Sequence, residues 1–70
     1  MDMIPVSSSN VAAIGYDDAT ELLQVRFHNG SLYAYSGVPS SVFQRFLSAP
    51  SKGSFVHEEL KDRYPYRRIG

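Results

Sequence analysis

The chain has 70 residues, as many lysines and arginines as aspartates and glutamates, and no cysteine. A chain this short makes one domain that buries only about 60% of the surface its unfolded state exposes, so stability is expected to be thin. Zero net charge gives no long-range pull on nucleic acid. Missing thiols exclude disulfides and thiolate metal sites, and no stretch approaches the roughly 20 apolar residues of a membrane span. A soluble, cytoplasmic protein without a membrane partner is the expectation.

In chain order, residues 1 to 10 hold a proline and three successive serines, which read as a leader or edge segment in which Ser7, Ser8 and Ser9 serve turns rather than a phosphate. Val11 to Tyr16 alternates as a first strand, and Asp17-Asp18-Ala19-Thr20 turns it round. With Asp18-Ala19 as loop centre, Ile14 would lie opposite Leu23.

Glu21 to Tyr35 is the organising stretch. Leu23-Val25-Phe27 alternates against Gln24-Arg26-His28, and Leu32-Ala34 against Tyr33-Tyr35, with Asn29-Gly30 between the two runs. That is a hairpin pattern. A two-residue loop pairs Arg26 with Tyr33 and Gln24 with Tyr35, and it keeps Leu23, Val25, Phe27, Leu32 and Ala34 on one face. The tyrosines then sit outside, beside arginine, and this register is favoured because it keeps every apolar residue on one face. A three-residue loop with Gly30 as a bulge pairs Val25 with Tyr33 instead and sends both tyrosines to the core.

Beyond Tyr35 the period lengthens to that of a helix. Pro39 suits a first turn, and Val42, Phe43, Phe46 and Leu47 share one side. Pro50 closes this helix. Ser54 is read as the N-cap of a second helix running to Tyr64, with Val56, Leu60 and Tyr64 at four-residue spacing, and Pro65 ends it. The fold expected is α+β, a three-stranded antiparallel meander followed by two helices packed on one face. One domain over residues 1–70 is expected, its core about 6–68.

The series SSSN-VAAIGYD, L-x-V-x-F-x-N-G-x-x-Y-x-Y, GVP, A-P-S-K-G-S-F and RYPYRR resembles the KTSC domain, a small family named after the C-terminal extension of some lysyl-tRNA synthetases and also found in stand-alone bacterial and phage proteins. The likeness runs from about Val6 to Arg68. It implies no particular activity, and the synthetase connection suggests RNA.

The residues themselves give little support to catalysis. His28 and His57 have no metal-ligand spacing, Asp17 and Asp18 read as turn residues, and no serine lies in G-x-S-x-G. No cofactor and no catalytic residue is expected. Two surfaces read as binding sites. Arg26, Tyr33 and Tyr35 would offer stacking rings and a guanidinium on the open sheet face. Lys52, Gly53 and Ser54 would offer an anion site at a helix start. The aromatic and basic tail of Arg63, Tyr64, Tyr66, Arg67 and Arg68 adds a local basic cluster that would belong with either site. The function expected is a non-catalytic module binding RNA or a small nucleotide. Alternatives are a homo-oligomer that sequesters a nucleotide signal and an adaptor with a protein partner.

Overall fold

Alternation in the first half of the chain and helical spacing in the second build an α+β domain, as expected. The computed structural model describes residues 2–70. The elements are β1 (Ile4–Pro5), β2 (Val11–Asp17), β3 (Leu22–Phe27), β4 (Leu32–Tyr35), α1 (Ser40–Ser48), α2 (Lys52–Phe55), a π-helical turn (Val56–Leu60) that prolongs α2, and β5 (Tyr66–Arg68). The sheet is antiparallel throughout, with spatial order β1-β2-β3-β4-β5.

The expected meander is β2-β3-β4, and it gains a strand at each edge. Both additions are too short to show alternation in sequence. They are placed by pairing: Ile4 opposite Ile14 at one edge, and Tyr66, Arg67 and Arg68 opposite Tyr35, Ala34 and Tyr33 at the other. The Ser36 N–H donates to the Pro65 carbonyl and the Ile69 N–H to that of Leu32, which zips the returning tail to β4.

The first hairpin has a longer loop than expected. Asp17 pairs with Leu22, and Ile14 lies opposite Val25 rather than Leu23. A slip of two residues preserves the face, so Ile14, Leu23 and Val25 still share the core. The Ala19 N–H donates to Asp17 Oδ1, and Val38 donates its N–H to the Glu21 carbonyl, which fixes Glu21 at φ 55°. Ser8 Oγ likewise accepts from the N–H groups of Asn10 and Val11, a turn role.

The second hairpin takes the other register. Phe27 N–H donates to the Ser31 carbonyl and Gly30 N–H to that of Phe27, both at 2.9 Å. Gly30 has φ 93°, whereas Asn29 is not left-handed. This is a three-residue loop closed by a glycine bulge. The favoured two-residue loop needs Asn29 at positive φ. Asn29 instead turns its side chain onto Ser31, accepting at Oδ1 from the backbone N–H at 3.0 Å and from the hydroxyl at 2.6 Å. The pairs are therefore Val25 with Tyr33 and Leu23 with Tyr35. Both tyrosines face the helices, and Arg26, Gln24, Leu32 and Ala34 take the opposite face.

Helix α1 covers that core face with Phe43 and Phe46. Phe46 stacks on Phe55 at 5.0 Å between centroids, and Tyr16 stacks on Phe43 at 4.6 Å while its hydroxyl donates to the Val38 carbonyl at 2.6 Å. Pro39 is the residue just before α1. The second helix ends at Leu60 rather than Tyr64, and its N-cap is Ser51 rather than Ser54, Ser51 Oγ accepting from the Ser54 N–H. Among the described residues no helix is long and apolar enough to cross a membrane.

Tyr35 is 3% exposed in the core, whereas Tyr66 is 45% exposed. Tyr35→Ala is expected to cost about 3 to 5 kcal/mol, a large part of what a domain this small has to spend. Tyr66→Ala is expected to cost less than about 1 kcal/mol. Urea denaturation of the two variants checks the contrast.

Candidate functional site

The residues expected to bind do not converge. Arg26 lies on the open face, its guanidinium donating to the Gly30 carbonyl at 3.0 Å, while Tyr33 and Tyr35 point to the helix side. The sheet itself separates arginine from rings. Lys52 is no counter-charge for an anion, because its ammonium donates to the carbonyls of Leu47 at 3.0 Å and Ala49 at 2.6 Å. These are acceptors that the end of α1 leaves free, so the lysine braces one helix against the next.

Gly53 is also committed to packing. A Cβ there would stand 2.7 Å from Asn10 Nδ2, so the glycine lets the helix start approach the leader. Ser54 gives its N–H to Ser51 and lies 3.0 Å from it, oxygen to oxygen. Arg67 sits on the open face opposite Ala34. Arg68 sits opposite Tyr33 on the helix side, where its Nε donates to the Gly70 carbonyl at 2.9 Å.

What does converge is an aromatic cleft on the helix side, beyond the cover of α2. Tyr33 stands edge-on to Phe27 at 5.6 Å, and Tyr66 lies 5.8 Å from Tyr33 and 5.3 Å from Tyr35. These rings, with Asn29, Ser31, Val56 and Lys61, line a cleft of about 430 Å³. Tyr35 is its floor and Tyr66 its exposed wall.

The π-helical turn explains how Lys61 reaches this cleft. Its N–H donates to the Val56 carbonyl at 2.9 Å, five residues back. At 3.6 residues per turn Lys61 would lie about 140° around the axis from Val56. The wider turn returns it to the side of Val56, and both line the cleft. No hydrogen bond or ion pair occupies the Lys61 ammonium among the described residues, where the one ion pair is Arg45 to Glu59 at 3.0 Å.

Sequence reasoning missed Phe27, Asn29 and Lys61 as site residues. It held Tyr66 only as a member of the aromatic and basic tail, without placing it beside Tyr33 and Tyr35. Lys61 carried no signal, because four-residue spacing of Val56 and Leu60 reads as an ordinary helix. A second depression, about 510 Å³, lies on the open face between Leu22, Gln24, Ala34, Arg67 and Ile69. Only Tyr66 supplies a ring there, so the stacking chemistry belongs to the helix side. No cluster of three or more metal-ligating side chains occurs among the described residues.

Burial shifts the phenols. Tyr35 is pushed up to about 12 by desolvation first, then by the neighbouring Tyr66 and Tyr33. Tyr16 is raised as well, by desolvation and then by the carboxylates of Glu21, Asp18 and Asp17.

A small antiparallel sheet with helices on one face and an aromatic cleft beside them defines the class of domain. The chain belongs to the KTSC domain family, whose model matches residues 7–64. A KTSC domain protein from Yersinia pestis, known from a crystal structure, superposes with a TM-score of 0.91 at 41% identity, over 99% of this chain and 97% of that one. A Tsukamurella paurometabola protein is 45% identical over 62 residues, covering 89% of this chain and 92% of its own. A lysine–tRNA ligase from Nostoc sp. is 31% identical over 67 residues, covering 96% of this chain but only 12% of the ligase.

Two outcomes are expected. Lys52→Met is expected to destabilise the fold by about 1 to 3 kcal/mol, because two part-buried carbonyls lose a charged donor, and to leave the cleft unchanged in amide NMR spectra. With pKa 10.0 unfolded and about 12 folded, Tyr35 favours the folded state fully below pH 10, and that contribution is lost as pH rises from 10 to 12. Phenolate absorbance alongside chemical denaturation reads both the late ionisation and the falling stability.

Proposed function

We propose that this domain is a cytoplasmic, non-catalytic binding module that takes one nucleotide unit, free or exposed within RNA, into the aromatic cleft. The carrying observation is the meeting of accessible rings with an unpartnered ammonium: Tyr33 and Tyr66 beside Lys61. A base stacked on Tyr66 gains about 1 to 3 kcal/mol. Lys61 meets its phosphate, and Arg68, opposite Tyr33 on the neighbouring strand, adds positive charge to that face of the sheet.

The charge balance favours a compact ligand. A neutral chain neutralises few phosphates and releases few counterions, so long RNA gains little beyond the unit held in the cleft. The kinship with part of a lysine–tRNA ligase agrees with RNA as one source of that unit.

Amide NMR titration with nucleoside monophosphates and short single-stranded RNA tests this. Shifts centred on Phe27, Tyr33, Lys61 and Tyr66 are expected. Tyr66→Ala is expected to weaken binding about 5- to 150-fold with the fold intact, and Lys61→Glu to weaken nucleotides more than nucleosides. A spectrum unmoved by every member of the panel overturns the reading.

A further inference from the structure

We infer that the cleft prefers bases presenting carbonyl oxygens, guanine and uracil, and that Asn29 sets this preference. The inference rests on the nucleotide reading above and concerns which base is taken. The orientation of the Asn29 amide is fixed by its partners. A backbone N–H can only donate, so the atom that the Ser31 N–H meets at 3.0 Å is the amide oxygen. The Ser31 hydroxyl lies 2.6 Å from the same oxygen, and Ser31 is only 6% exposed. Both acceptor sites of Oδ1 are thereby filled.

The amide is left with its NH2 group alone. Asn29 is exposed at the hairpin tip, it lines the cleft, and its Nδ2 has no hydrogen-bond partner among the described residues. The Asn29 side chain therefore presents N–H groups and no acceptor, while Lys61 is left for the phosphate.

A stacked base meets these groups with its edge. Guanine offers adjacent O6 and N7 acceptors, and uracil offers O4 and O2. Adenine and cytosine carry an exocyclic amine where those bases carry O6 or O4, which sets donor against donor at that position and leaves of each pair only N7 or O2. A donor left unpaired on binding loses more than a neutral substitution does. The hairpin turn that sets the sheet register thus also polarises the reader of the base.

The test uses the four neutral nucleosides, so that phosphate plays no part, with dissociation constants read from amide NMR titration of the full chain. Guanosine and uridine are expected to bind at least about 5-fold more tightly than adenosine and cytidine, with shifts of the Asn29 side-chain NH2 signals. Asn29→Asp keeps an oxygen for Ser31 and replaces the donor by an acceptor. It is expected to erase or invert the ratio, and a ratio within one variant is insensitive to any loss of folded protein. Equal affinity for all four nucleosides, with shifts in the cleft, overturns the base preference while leaving the nucleotide reading standing. Shifts with no nucleoside or nucleotide overturn both.

Discussion

The loop from Phe27 to Ser31 is the constraint on which the rest of the molecule depends. Side chains alternate faces along a strand, so a one-residue change in this loop exchanges the two faces of β4. Gly30 at φ 93° supplies the left-handed residue of the bulge, and the Asn29 side chain is tied to Ser31. Tyr33 and Tyr35 consequently face the helices. The effect propagates, because β5 pairs with β4 in register and delivers Tyr66 and Arg68 to that same face. A turn of three residues thus decides where β4 and β5 put their aromatic rings.

Tyrosine is the residue type that makes this register favourable. A phenol has a large apolar body and a polar tip, so Tyr35 fills the core with its ring, while Ala34 would have filled much less. Tyr33 and Tyr66 continue the same aromatic run outward from buried to exposed. Core and cleft are therefore one continuous structure, and the ring that walls the cleft is held by rings that stabilise the fold. The helices are braced in a similar way. Lys52 closes the carbonyl end of α1, and Arg45 lies 5.6 Å above the Phe55 ring while pairing with Glu59.

Much of this was legible in the sequence, for stated reasons. The strand from Val11, the central hairpin and the apolar side of α1 all carry strong periodicity, and each formed. The register was not legible, because an aliphatic count treats tyrosine as polar, and Asn-Gly suits both loop types. Strands β1 and β5 were not legible because two or three residues carry no period. Lys52 read as an anion ligand because its true partners, the carbonyls of Leu47 and Ala49, are exposed only by the end of the preceding helix. The π-helical turn was hidden by the spacing of Val56 and Leu60, which suits either kind of helix. Local pattern identified the elements, and tertiary pairing decided their faces.

The rearranged site also changes what the proposed ligand would meet. On the open face, arginine and tyrosine would have formed a flat platform, exposed on all sides and suited to many successive bases. The cleft offers instead the exposed Tyr66 ring, the half-buried Tyr33, the buried Tyr35 as its floor and the Lys61 ammonium, which together hold little more than a single base and its phosphate. One stack and one or two charge contacts sum to a few kcal/mol, so affinity near about 1 mM is the natural scale. Discrimination at that scale cannot come from contact area. It has to come from groups already fixed before binding, and Asn29, held at its oxygen by Ser31, is fixed in that sense, since no rotation is lost when its NH2 meets an acceptor.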